Sequence, residues 1–120
     1  MNPNTMKTLQ LNISERLFAL KYLDDFKGSV SMLSKILDEV KKFGVTKEDW
    51  EKAEKNELKN GDQIQWTWSD EKGGLKAIEV DEEILTYLKI SIDKNEKEKG
   101  FGLADKAVVG LRTKLEESLK

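Results

Sequence analysis

The chain has no cysteine and no histidine, and its only proline is Pro3. Those absences close off much chemistry. Without thiols or imidazoles there can be no disulfide framework, Cys/His zinc site, thiol nucleophile or Ser-His-Asp relay. Long apolar runs are missing too, and nothing approaches the roughly 20 residues of a membrane span. The opening Met1-Asn2-Pro3-Asn4-Thr5-Met6-Lys7 lacks the apolar stretch of a secretory signal. An excess of one charge is also lacking: 21 basic and 23 acidic residues leave a net charge of −2. That balance suits a soluble surface laced with ion pairs rather than one that seeks polyanions. The expectation is a cytoplasmic protein with no membrane partner.

The 120 residues form one expected domain, 1–120, with residues 1–5 as a disordered lead. A chain of this length can bury roughly two-thirds of its unfolded surface in a single core. Leu9, Leu11 and Ile13 alternate with polar residues and suggest a short first strand. Ser14 offers an N-cap for a helix striped by Leu17, Leu20 and Leu23 and ended by Gly28. Val30, Leu33, Ile36, Leu37 and Val40 then recur at helical spacing up to Phe43-Gly44. Thr46-Lys47-Glu48-Asp49 is a near capping box, with aspartate where glutamate is usual, opening a third helix through Trp50 and Ala53.

The stretch Gly61–Val80 reads as a β-hairpin. Ile64, Trp66 and Trp68 alternate with Gln63, Gln65, Thr67 and Ser69, Gly73-Gly74 supplies the turn, and Ile78 and Val80 continue the alternation on the return strand. Asp81 caps a further helix buried through Ile84, Leu85, Leu88 and Ile92, and a last one runs from about Leu103 to the end. Gly110 inside that last helix costs about 1 kcal/mol against alanine, which points to a close helix contact. The order is strand, three helices, hairpin, two helices. The fold class expected is α+β, with helices packed on a small antiparallel sheet centred on the hairpin. Residues 14–80 follow a winged-helix-like order, with two C-terminal helices added.

No catalytic, cofactor-binding or metal-ligating set emerges. Carboxylate pairs such as Asp24-Asp25 and Glu82-Glu83 lie at helix ends, no calcium-loop spacing occurs, and Gly100-Phe101-Gly102 is a lone Gly-x-Gly. A winged helix would set its third helix in the DNA major groove. Here that helix carries Glu48, Asp49, Glu51 and Glu54 against Lys47, Lys52 and Lys55, which works against phosphate. Of the tryptophans, Trp66 and Trp68 share a face with Ile64 and are expected in the core. Trp50, with little apolar company, is the better interface anchor.

Several pieces together resemble a loose group of short proteins encoded by phages and prophages of Gram-positive bacteria. They are Ser14-Glu15-Arg16-Leu17-Phe18-Ala19-Leu20 with Leu23, the second helix from Leu33 to Val40, Gly61-Asp62-Gln63-Ile64-Gln65-Trp66, Ile78-Glu79-Val80, and the helix from Glu82 to Ile92. The resemblance implies no catalytic residues. It implies an accessory protein of a bacterial cell or phage-infected host that acts by occupying a host or defence protein. The function expected is therefore a non-enzymatic protein-binding module, an inhibitor or modulator, monomeric or homodimeric. Residues 44–80 hold 6 basic and 9 acidic groups, so the expected contact surface is Trp50, Glu48, Glu51, Glu54, Asp70 and Glu71, facing a basic surface on the partner. The alternative is a winged-helix-like DNA-binding or DNA-associated protein.

Overall fold

The computed structural model describes residues 6–120; the disordered lead expected at residues 1–5 lies outside them. The elements in order are β1 (Met6–Leu11), α1 (Ile13–Asp24), α2 (Val30–Phe43), α3 (Lys47–Lys52), β2 (Asn56–Asn60), β3 (Gln63–Thr67), the single turn α4 (Asp70–Gly73), β4 (Lys76–Asp81), α5 (Glu82–Glu98), a 3-10 turn (Leu103–Asp105) and α6 (Ala107–Ser118). The fold is α+β, with helices against a small antiparallel sheet. No described helix is long and apolar enough to cross a membrane.

The sheet that carries the core is not a hairpin. β1 pairs antiparallel with β4, from Met6 opposite Asp81 to Leu11 opposite Lys76. Period-two alternation turns Leu9, Leu11, Ile78 and Val80 inward and leaves Thr8, Gln10, Ala77 and Glu79 exposed. Ile84, Leu85, Leu88 and Ile92 of α5 and Val108, Leu111 and Leu115 of α6 close over the inward face, with Ile36 and Phe43 of α2 completing the cluster. Ile78 and Val80 therefore do belong to a strand, but their partner is the first strand of the chain. The sequence in between forms a separate two-stranded sheet, β2 with β3.

Gly73-Gly74 accordingly joins no hairpin strands. Ser69 caps the turn of α4 by accepting the Lys72 N–H at 3.1 Å, and Gly74, at φ +72°, ends it. Gly73 is glycine for want of room: a Cβ there would stand 2.9 Å from Ile13 Cδ1 and 3.1 Å from Ala53 Cβ.

The expected caps hold at α3 and α5 and shift at α1. Thr46 and Asp49 form the reciprocal box that opens α3, and Asp81 accepts the Glu83 N–H at 2.9 Å to open α5. At α1 the cap is Asn12 rather than Ser14. Asn12 Oδ1 accepts the Glu15 N–H at 2.8 Å while Glu15 Oε1 accepts the Asn12 N–H at 2.9 Å, satisfying two terminal donors at once. A serine two residues later has no such return bond to offer and is used elsewhere.

The α1 stripe also differs from expectation. Leu17 and Leu20 are only half-buried, whereas Glu15 and Arg16 are 3% and 2% exposed. The cause is position: α1 touches α2, α4, α5 and α6, so more than one of its faces is covered. Arg16 donates to the Gly44 carbonyl at 3.0 Å and pairs with Asp49 at 3.2 Å. Glu15 pairs with Lys114 of α6. α2 errs the other way. Val30, Leu33 and Leu37 are exposed, because only the Ile36–Phe43 side of its apolar arc meets the rest of the molecule.

Gly110 marks the α1–α6 contact, since a Cβ there would overlap Glu15 Oε2. Glycine to alanine in a helix normally stabilises by about 1 kcal/mol. Gly110→Ala is expected instead to destabilise by about 1–3 kcal/mol through overpacking. In a Glu15→Ala background the same change should turn neutral or stabilising. Urea denaturation of the four variants of this cycle measures both, and an equal effect in the two backgrounds would refute the steric account.

Candidate partner-binding surface

The hairpin β2–β3 projects from the molecule. All ten of its strand residues are exposed. The chain measures 54 × 33 × 28 Å with a radius of gyration of 15.4 Å, against about 13–14 Å for a compact domain of this length. The tip is Gly61-Asp62. Gly61 takes φ +69° and Asp62 keeps a negative φ, as a two-residue turn with glycine first requires. What reads in the sequence as the approach to the hairpin is its tip.

Register puts Trp66 opposite Glu57 and Ile64 opposite Lys59, so these four side chains share one face. Gln63, Gln65 and Thr67 share the other with Asn56, Leu58 and Asn60. Trp66 is 51% exposed and Ile64 54%. The expectation of a core Trp66 is thus corrected: alternation sets Trp66 and Ile64 on one side of their strand, but Glu57 and Lys59 share that face and no helix lies against it.

The foot of the hairpin is a column of aromatic rings and one cation. Trp68 meets Trp50 edge to face, with ring centroids 5.3 Å apart. The Lys55 ammonium stands 4.3 Å from the Trp50 ring and 4.2 Å from the Trp66 ring, clasped between the two. Trp68 is half-buried rather than core, and its Nε1–H donates to Asp70 Oδ1 at 3.1 Å and to Ser14 Oγ at 3.2 Å. Asp70 accepts further from the Ser14 N–H at 3.0 Å and hydroxyl at 2.6 Å. The backbone closes the foot through the Ser69 N–H on the Ala53 carbonyl at 2.8 Å. Glu54 makes the bend between α3 and β2 in the left-handed region, at φ +56°.

The residues expected to form the contact surface are therefore divided. Glu48 and Glu51 are exposed on α3, and Glu71 is exposed on α4, which packs beside it. Glu54 is exposed but paired with Lys72. Asp70 is half-buried, and its carboxylate holds α1 to the hairpin foot instead of facing a partner. Trp50 is half-buried with both ring contacts occupied. Sequence reasoning missed Ile64 and Trp66 as surface residues. The signal that finds them is Gly61-Asp62 read as a two-residue loop, which makes Leu58 and Lys59 the return partners of Gln65 and Ile64. Among the described residues, no group of three or more carboxylates is placed to hold a metal ion.

The winged-helix-like order survives as α1, α2, α3 and hairpin, but α3 has only six residues, Lys47–Lys52. No family model matches the chain, and neither curated proteins nor solved structures give a match.

Asp49 fixes the start of α3. Its carboxyl is held below the ordinary aspartate range, chiefly by the Thr46 backbone N–H, against an opposing effect of partial burial; the Thr46 side chain and Arg16 add to the lowering. A depressed carboxylate supplies stability above the unfolded value, about pH 4, and that stability is lost as pH falls through the folded value. Asp49→Asn is therefore expected to flatten the loss of stability below about pH 4 while lowering stability at neutral pH. Urea midpoints measured down the acid limb test this, and an unchanged acid slope in the variant would contradict it.

Proposed function

We propose that the protein is a non-enzymatic binding module that holds a protein partner on the Ile64–Trp66 face of the projecting hairpin. One observation carries this reading: a tryptophan and an isoleucine, each about half exposed, lie side by side on a limb whose strand residues are all exposed. An isolated two-stranded hairpin is at best marginally stable in water. Here the Trp50–Lys55–Trp66 clasp steadies it from the foot, while Trp66 and Ile64 stay about half exposed. Partly exposed tryptophans are the side chains most often found as interface anchors. Glu48, Glu51 and Glu71 form a rim suited to a basic surface on the partner, where charge favours rate and register over affinity. The resemblance to phage and prophage accessory proteins points to a host or defence protein in the cytoplasm as the target.

Trp66→Ala is expected to weaken partner binding by more than about 2 kcal/mol with the fold retained by circular dichroism. Trp50→Ala should lower stability as well, because its ring packs on Trp68. The assay is affinity capture from a bacterial lysate with and without nuclease, comparing wild type with both variants. A nuclease-resistant protein retained at near-equal stoichiometry by wild type and lost in Trp66→Ala supports the reading. Retention that vanishes with nuclease, or that ignores Trp66→Ala, rejects it.

A further inference from the structure

In a two-stranded sheet each strand has one edge without a neighbour, and the two edges of the hairpin β2–β3 are unlike. β2 is Asn-Glu-Leu-Lys-Asn, and its Glu57 and Lys59 are the kind of charged residue that keeps an open edge from pairing. β3 is Gln-Ile-Gln-Trp-Thr, with no charge, proline or glycine, and its Ile64, Trp66 and Thr67 all favour strands. By composition β2 is an edge strand and β3 an inner one. Yet nothing pairs with the far side of β3.

Register decides which backbone groups that side offers. Asn60 and Gln63 flank the two-residue loop and so exchange both backbone bonds, and bonded and non-bonded pairs alternate from there. Gln63, Gln65 and Thr67 therefore turn their N–H and C=O groups to β2, and Ile64 and Trp66 turn theirs outward. Among the described residues, no backbone group of another element bonds to them. This outward set is symmetric about Gln65. A second β3 laid antiparallel, Gln65 opposite Gln65, sets Ile64 opposite Trp66 and Trp66 opposite Ile64, and each of these pairs exchanges both bonds. At the axis each Gln65 amide can donate to and accept from the other.

We infer that the protein associates with a second copy of itself through the β3 edge, forming a continuous sheet in the order β2-β3-β3-β2. The contact is isologous and closes on itself. It puts the uncharged strands inside and the charged ones at the rims, and it gives the hairpin the extra strands that an isolated pair lacks. Cross-strand pairing of an aromatic with a β-branched side chain adds to the ladder. Both copies keep Ile64 and Trp66 on the same face, so the second copy contributes half of an enlarged surface. The pairing uses the edge rather than that face, so it does not rest on the docking of a partner there.

The test is sedimentation equilibrium of the full chain, with amide hydrogen exchange followed over the same concentrations. A monomer–dimer equilibrium with Kd below about 1 mM is expected. Protection of the Ile64 and Trp66 amides should rise with concentration, while the Glu57 and Lys59 amides on the other edge stay unprotected. Gln65→Lys and Gln65→Glu set like charges opposite each other at the axis and should each raise Kd about fivefold. Mixing the two variants should restore association. Position 65 faces away from Ile64 and Trp66, so capture of a partner on their face is read separately by Trp66→Ala. A chain that stays monomeric would overturn the inference. So would a Kd that ignores both charges at position 65, or protection that rises at Glu57 and Lys59 instead.

Discussion

The pairing of β1 with β4 is the constraint on which the rest depends. It joins the start of the described chain to Lys76–Asp81, so everything from Asn12 to Leu75 must leave the sheet and return in register. Closing such a loop is entropically costly before any contact offsets it. The compensation is the set of inward residues the ladder aligns, Leu9 and Leu11 beside Ile78 and Val80, and the α5 and α6 side chains that cover them. Because α5 begins directly after β4, with Asp81 both ending the strand and capping the helix, the direction of the covering layer is set by the sheet itself.

Within that frame α1 is the hub, and it is held by charge as well as by apolar contact. Arg16 reaches Asp49 and the Gly44 carbonyl, fixing where α3 begins. Glu15 reaches α6 through Lys114, and Ser14 reaches the hairpin foot through Asp70. Three consecutive residues thus tie one helix to three other parts of the molecule. Breaking a buried ion pair by removing one partner costs more than the pair contributes over an apolar substitute, so such ties specify arrangement more than they add stability.

What was legible in the sequence follows from what local pattern encodes. α2 and α5 could be read because their apolar residues recur at helical spacing, and the Thr46 and Asp81 caps because capping is a matter of a few adjacent residues. Strand pairing could not. Alternation at Ile78 and Val80 marks a strand without an address, and the nearest β-rich run was the wrong partner. The same gap hid the exposure of the hairpin: alternation places Ile64 and Trp66 on one face but is silent on whether anything covers it. Nor does periodicity announce that Glu15 and Arg16 are buried while Leu17 and Leu20 are only half so, since that depends on how many elements surround α1.

The contact between Glu15 and Gly110 bears on how such a chain can diverge. The two residues lie near opposite ends of the sequence, yet the carboxylate occupies the space a side chain at 110 would need. A shorter residue at position 15 has to arise before anything larger than glycine is tolerated at position 110, and reversal is then barred until the glycine returns. Substitution at these sites is ordered in time. In a set of descendants a residue larger than glycine at 110 should occur only beside a shorter residue at 15, leaving a trace of the α1–α6 contact in sequences alone.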